Sequence, residues 1–419
     1  MPGAFGPPAD LPLVRWLALL GGVLVQLVVG GVYSWSLFGR ALQSQGAMGL
    51  TAVQASIPFE VAIGMIFVGA SIGGRLQDRS SPRLVAMVGS AVYAAGLILS
   101  SFARDAGDLW LLVLGYGLIG GFGLGMAYIV PVALLQKWFP DRRALVTGIA
   151  VGGFGFGATL TSPVAEALIA RAPAAPASSF LWIGVGYLVL GVLGSAMMST
   201  PPAQEAAEAT PSNDLDVRQA LRTPHWFLLT GILAVAVAAG ISLVSMMAVA
   251  AVDVGGIDAA SVATVVGVLA LFNGAGRIAW ASAAQRVGQL PVLAAILLLE
   301  GVALIALPHA TGWTFLALAA VVYLCYGGAF GTLPSTAGAF FGMRHAGAIY
   351  GLMLVGWSLA GVLGPLAASS MVGEAGNYAL AFSVMGALAV AGVALPLATR
   401  RLPLPTVRSV KVREMVEAS

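Results

Sequence analysis

Long apolar runs, interrupted by short clusters of charged residues, proline pairs and polar residues, set the pattern of this chain. Divided at those interruptions, it gives twelve segments at 13–41, 51–74, 83–102, 109–136, 144–170, 178–199, 226–250, 260–284, 290–307, 313–340, 346–371 and 377–399. Each, as a helix, is long enough to cross a hydrocarbon core about 30 Å thick. The first run is too long for the apolar region of a signal peptide and lacks a small-residue cleavage pattern, so it is expected to remain as a membrane helix. The least hydrophobic stretch, Thr200 to Pro224, contains Pro201, Pro202, Glu205, Glu208, Asp214 and Asp216. It reads as a linker joining six helices to six. The expected division is a bundle at 1–199, a linker at 200–224, a second bundle at 225–402 and a basic tail at 403–419.

Composition agrees: the 419 residues are 59% hydrophobic and 9% charged, with a mean hydropathy of +0.94. These values place the chain among polytopic, all-α membrane proteins. Arg15, Arg75, Arg79, Arg83, Lys137, Arg142, Arg143, Arg218, Arg222, Arg286, Arg344, Arg400, Arg401, Arg408, Lys411 and Arg413 fall on one face, whereas Arg40, Arg104 and Arg171 fall on the other. The positive-inside rule then puts both termini in the cytoplasm and the spans in the cell's inner or plasma membrane. Orientation explains the net charge of +3 better than nucleic-acid binding does, and the basic tail also suits anionic lipid. The single cysteine, Cys325, excludes an internal disulfide and argues against a structural zinc site. His225, His309 and His345 are too scattered for a metal site, and no cofactor is expected. An enzyme would need a nucleophile, paired acids or a metal cluster within mutual reach, and a channel would need a ring of like groups or a filter loop; neither is legible.

An internal repeat supports two halves. An offset of 202 residues lays Tyr128 on Phe330, Phe139 on Phe341, Arg142 on Arg344, Ala144 on Ala346 and Pro163 on Pro365. A second correspondence pairs Gly74 to Arg79 with Ala281 to Arg286. Duplicated transporter halves leave such weak repeats and hold substrate near the midplane between them. Gly120 to Gly125 and Gly152 to Gly157 superficially match nucleotide-binding loops. Both lie inside spanning segments and lack a P-loop lysine, so they read as helix-packing glycines, with Gly148-x-x-x-Gly152 at the spacing for close approach.

Gly74-x-Leu76-x-Asp78-Arg79-x-x-x-Arg83 resembles the loop motif of the major facilitator superfamily, with Ser81 where a second glycine is usual. Tyr33-Ser34-Trp35-Ser36-Leu37, Trp138-Phe139-Pro140-Asp141-Arg142-Arg143, Leu221-Arg222-Thr223-Pro224, Asn273-Gly274-x-x-Arg277 and Gly327-Gly328 followed by Pro334-Ser335 resemble the oxalate/formate antiporter family, related to the monocarboxylate transporters. The resemblance implies twelve helices in two pseudo-symmetric six-helix bundles and alternating access. It also implies that aromatic residues close around a bound anion, at positions matching Tyr33, Tyr128, Phe154, Tyr326 and Phe330. Phe154 and Phe330 lack the hydroxyl of the antiporter's tyrosines. Asp78, Arg79 and Arg83 are expected to lock one state by pairing across the two halves, with Gln285 replacing the acid in the second copy.

Arg277 is the residue to which these expectations lead. An ionised group at bilayer depth costs about 3 kcal/mol or more, and a small carboxylate crossing the membrane needs a fixed cation to offset its own desolvation. Guanidinium stays charged and grips a carboxylate with two parallel bonds. Nine residues separate it from Arg286, roughly 13 Å of helix and close to half the hydrocarbon thickness. Asn273, one turn earlier on the same face, serves either the ligand or helix packing. The antiporter's lysine on the eleventh span is replaced here by Trp357, so one cation is missing. The expected cargo is a monocarboxylate of the lactate, pyruvate or formate kind, carried by proton symport or anion exchange. A dicarboxylate antiporter, and an exporter of neutral or cationic compounds with Arg277 structural, are the alternatives. The protein is expected to work as a monomer. Two acids lie within apolar runs. Glu60, expected near the outer end of its helix, reads as a gate or proton entry point, and Glu300 as part of a supporting helix away from the cavity. Glu166 is expected at the interface.

Overall fold

The computed structural model describes residues 11–201, 214–258, 261–372 and 376–405. The linker residues Pro202, Glu205 and Glu208 and the tail residues Arg408, Lys411 and Arg413 lie outside the described residues. Twelve helical spans are long and apolar enough to cross a membrane: α1 Leu13–Gln43, α2 Val53–Arg79, α3 Pro82–Ser100, α4 Ala106–Trp138, α5 Arg143–Arg171, α6 Pro176–Met197, α7 Pro224–Asp253, α8 Thr264–Val287, α9 Gln289–His309, α10 Gly312–Phe341, α11 Ala346–Val372 and α12 Tyr378–Arg401. α2 extends beyond its apolar run through Asp78 and Arg79, because a charge at a helix end leaves hydropathy without leaving the helix. Its start is fixed by a capping box, in which Gln54 donates its amide N–H to Thr51 Oγ1 and accepts the Thr51 N–H. Pro82 and Pro224 each occupy a first helical turn, where no backbone donor is lost.

Two backbone irregularities fall beside nominated site residues. α1 tightens into a 3₁₀ turn at Gly31–Ser34, carrying Tyr33. α11 breaks at Leu354 between Ala346–Met353 and Val355–Val372, just before Trp357. Ahead of α7, the short helix Val217–Leu221 follows Asp214, whose Oδ1 accepts the amides of Met343 and Arg344 at 2.8 and 3.2 Å. That turn passes through Gly342 at φ +86°, a conformation costly for any residue with a side chain.

α8 is gripped on two sides by glycine. On α10, Gly327 and Gly331 face the carbonyls of Asn273 and Arg277, matching one turn of one helix to one turn of the other. On α5, Gly148 faces the Arg277 carbonyl and Ala281, and Gly155 faces Gly274. A similar crossing joins α2 to α11, where Gly74 meets Gly347 and Ala70 meets Gly351. Ser71 donates to the Gly351 carbonyl, and Ser358 donates to that of Ile63. These contacts between the first six and the last six helices run from the end that carries the termini to the middle of the bundle.

A methyl group at Gly331 would overlap the Arg277 carbonyl, which cannot yield as a side-chain tip can. Gly331→Ala is therefore expected to destabilise the protein by about 1–3 kcal/mol in thermal unfolding in detergent. Gly186→Ala, with open space around it, is expected to be neutral or slightly stabilising. Equal melting of the two variants would remove the close-approach argument.

Candidate functional site

Arg277 has no solvent exposure. Its Nε donates to Asn273 Oδ1 at 3.3 Å and its Nη1 donates to the Val151 carbonyl on α5 at 3.1 Å. Asn273 thus supports the guanidinium from one turn away. The central carbon lies 5.2 Å from the centroid of Phe154 and 5.0 Å from that of Phe330. The two positions without hydroxyls are thereby the π-faces that hold the cation, each contributing about 0.5–2 kcal/mol. Nη2 makes no well-formed hydrogen bond, although the Tyr33 hydroxyl lies beside the guanidinium, and no ion pair to Arg277 occurs among the described residues.

The aromatic positions nominated by the sequence come together as a closed ring. Tyr33 packs edge-on against Phe154 (5.2 Å), Phe154 against Trp357 (5.7 Å), Trp357 against Phe330 (4.8 Å) and Phe330 against Tyr326 (5.5 Å). Tyr128 touches both Phe154 and Trp357 at 5.5 Å. The hydroxyls of Tyr33 and Tyr326, 3.1 Å apart, close the circuit by a hydrogen bond between α1 and α10. Both helical halves contribute, and every ring except that of Tyr33 is fully enclosed. The Trp357 indole N–H has no acceptor. Tyr350 was missed in the sequence. Its hydroxyl faces that of Tyr128, short of a well-formed hydrogen bond, and it lies within electrostatic reach of Arg277. Its spacing of seven from Trp357 gave only a weak signal, because the break at Leu354 lies between them. Gln26, also missed, donates to the Tyr128 carbonyl. The arrangement encloses one unneutralised cation with unpaired donors, a setting that favours a small anion. Two surface cavities, about 410 Å³ beside Asp253 and Tyr378 and about 280 Å³ beside Arg142 and Arg286, lie away from Arg277.

The acids are placed as follows. Glu60 is half-buried on α2 and Glu166 is exposed on α5. The expectation for Glu300 is corrected. Its carboxyl is fully buried, and one oxygen converges with the Tyr326 ring over Gly240 of α7. A supporting helix reaches the site because Gly240 leaves room for it.

At the end carrying the termini, Asp78 Oδ2 accepts the Ala348 amide at 2.9 Å, while Oδ1 pairs with Lys137 at 3.3 Å. Ala348 is in the first turn of α11, whose unpaired amides and dipole favour a carboxylate. Asp78 alone of the three expected lock residues makes this crossing. Arg83 turns to the Met198 carbonyl within its own half, and Arg79 is exposed. Arg79 closes α2 and Arg83 lies in the first turn of α3, and it is Lys137 of α4 that takes the Asp78 carboxylate. Gln285 still bridges the halves, donating to the Asp141 carbonyl at 2.9 Å.

The profile of the family described as Major Facilitator Superfamily matches residues 16–288. An MFS-type transporter, YhjX, from Escherichia coli (strain K12) is 25% identical over 359 residues, covering 85% of this chain and 88% of that protein. The oxalate:formate antiporter of Oxalobacter formigenes is 26% identical over 360 residues, covering 84% and 83%. Monocarboxylate transporter 13 of Rattus norvegicus is 26% identical over 392 residues, covering 90% and 87%. Among solved structures, the Escherichia coli fucose:proton symporter superposes with a TM-score of 0.69 at 15% identity, over 92% of this chain and 98% of that one.

Removing the Asp78 carboxylate takes away a charge-assisted bond of about 1.5–3 kcal/mol. Asp78→Ala is expected to speed hydrogen exchange at the Ala348 amide about ten-fold or more. Unchanged exchange there would show that the carboxylate does not hold the two halves.

Proposed function

The chain belongs to the Major Facilitator Superfamily and is a multi-pass membrane transporter, and from that premise we propose that it carries a small monocarboxylate by alternating access, with Arg277 as the anion's fixed partner. The observation that carries this reading is a fully buried guanidinium, ringed by aromatic residues from both halves, with Nη2 unpaired and no ion pair among the described residues. A carboxylate placed there cancels the charge and accepts from Arg277 Nη2 and Trp357 Nε1. Tyr33, Tyr128, Tyr326, Phe154, Phe330 and Trp357 enclose it, and Asn273 holds the guanidinium in place. Burial favours the arrangement because a hydrogen bond is electrostatically stronger at low local dielectric.

One cation selects one negative charge. With Trp357 in place of a lysine, a dianion leaves about one unit of charge unpaired in a low-dielectric enclosure, which argues for lactate, pyruvate or formate over oxalate. The bundles are assigned to 1–199 and 225–402, with the linker, the tail and both termini in the cytoplasm and the spans in the cell membrane. On that assignment, the contacts through Asp78 and Gln285 shut the cytoplasmic side. Glu60 then lies on the outer part of α2, where it serves as a gate. Movement of a monoanion with a proton carries no net charge, which favours symport over exchange. The protein is read as working as a monomer.

The dicarboxylate reading draws on the likeness to the oxalate:formate antiporter. The reading of Arg277 as structural draws on its bonds to Asn273 and Val151. Counterflow in proteoliposomes separates the three. Wild-type protein is expected to exchange radiolabelled pyruvate, Arg277→Lys to lose at least ten-fold through loss of the paired bonds, and Arg277→Gln to be inactive. Trp357→Lys is expected to shift preference towards oxalate. Retained transport by both arginine variants, with no competition by carboxylates, would make Arg277 structural; a wild-type preference for oxalate would overturn the single-cation argument.

A further inference from the structure

Arg277 and Glu300 are the Lys, Arg, Asp or Glu residues with no exposure among the described residues. The ring described above uses only the first. Glu300 stands on α9, eleven residues from Gln289, roughly 16 Å along the helix and thus near bilayer mid-depth. Neither of its oxygens has a hydrogen-bond partner. An ionised carboxylate in such a place is costly unless a cation elsewhere in the interior balances its charge, whereas the neutral acid is tolerable. Packing explains how it is enclosed: the next residue, Gly301, is pressed against the Gly386 carbonyl of α12, and the carboxyl turns towards Gly240 on α7 and Tyr326 on α10.

We propose that Glu300 carries the coupled proton, one per cycle, while Arg277 holds the carboxylate; this rests on the carboxylate reading of the Arg277 site. The step is a simple acid–base exchange. A Glu300 carboxylate oxygen takes a proton from hydronium on the outer side, leaving water, and later gives it to water on the inner side, forming hydronium. Charge balance makes the coupling obligatory. The loaded carrier contains guanidinium, carboxylate cargo and neutral Glu300, and the empty carrier contains guanidinium and ionised Glu300. Both forms that must reorient have no net charge at mid-depth. Cargo with ionised Glu300, or an empty site with neutral Glu300, each leaves a surplus charge in a low-dielectric interior and reorients slowly.

The groups around Glu300 are consistent with this role. From α10, Tyr326 and Cys325 face it. The ionisable residues of α7 are His225 and Asp253 near its two ends, those of α12 are Tyr378, Arg400 and Arg401 near its ends, and those of α8 are Arg277 and Arg286. No fixed counter-charge lies beside the carboxyl, so its charge is set by the proton and by what Arg277 holds. Tyr326 links the two sites, since its ring and a Glu300 oxygen both crowd the space over Gly240 and its hydroxyl bonds to Tyr33 across the ring. α7 and α10, which wall the carboxyl, both belong to the half whose rocking opens the site.

The test uses full-length protein in proteoliposomes with radiolabelled pyruvate. Wild type is expected to accumulate pyruvate under an inside-alkaline gradient and also to show counterflow. Glu300→Gln, a fixed neutral isostere, is expected to keep counterflow and lose gradient-driven accumulation at least ten-fold, and Glu300→Asp to restore part of it. Retained accumulation in Glu300→Gln would overturn the proposal, and so would loss of counterflow by a variant that melts with wild type. Should wild type show counterflow but ignore the gradient, Glu300 is no proton carrier and the carboxylate site stands. Should wild type show neither, the carboxylate reading itself falls. A readout independent of any variant is proton uptake by purified wild type on adding pyruvate in weakly buffered detergent: about one proton per protein is expected, and none overturns the assignment.

Discussion

A cation enclosed at mid-depth without a counter-ion is the constraint on which the rest of this structure depends. Arg277 survives there because its charge is spread over several weak partners rather than cancelled by one strong one. Nε and Nη1 reach oxygen acceptors, and the central carbon lies 5.2 and 5.0 Å from the Phe154 and Phe330 ring centroids. A carboxylate in place of Asn273 would neutralise the guanidinium and seal it. The amide oxygen orients the side chain without that cost, so the guanidinium keeps its charge unneutralised.

Holding the guanidinium in place requires its helix to be held as well. α8 achieves this through contacts that side chains cannot make, with glycines on α10 and α5 admitting its backbone directly. Lipid provides no hydrophobic drive for helix association, so close van der Waals contact between backbones is the main source of attraction available. The same crossing aims Arg277 Nη1 at the Val151 carbonyl, which ties the charged helix of one half to the other.

The helices and much of the ring were legible in the sequence, for different reasons. A twenty-residue apolar run has few alternatives in a bilayer, and Arg277 was conspicuous as a charge within one. Tyr33, Tyr128, Tyr326, Phe154, Phe330 and Trp357 needed the family resemblance, since aromatic residues on apolar helices ordinarily serve packing. Three features were hidden. The Val151 carbonyl carries no sequence signal, Tyr350 was obscured by its place near a helix start, and Glu300 was misplaced because reach depends on what stands opposite. Gly240 is that determinant: any larger residue would have pushed the carboxyl away from Tyr326. The loop motif likewise showed which residues are charged but not that Lys137 would take the ion pair and leave Arg83 to a carbonyl.

The way the halves touch also bears on how they could part. At the α5–α8 and α2–α11 crossings their shared surface includes close glycine and alanine contacts, which are not directional, beside the serine hydrogen bonds of α2 and α11. Such surfaces tilt against one another with little loss, because dispersion depends on distance and scarcely on angle. Directional bonds between the halves join Asp78 to Ala348 and Gln285 to Asp141 at the terminus-bearing end and Tyr33 to Tyr326 and Arg277 to Val151 at the site, with Ser71 to Gly351 and Ser358 to Ile63 along the α2–α11 crossing. A rocking motion therefore has to break the first pair and can pivot near the second. With the cation and its aromatic ring at that level, a charge added or removed there would act on the bonds between the halves, since an unbalanced charge is costly in a low-dielectric interior.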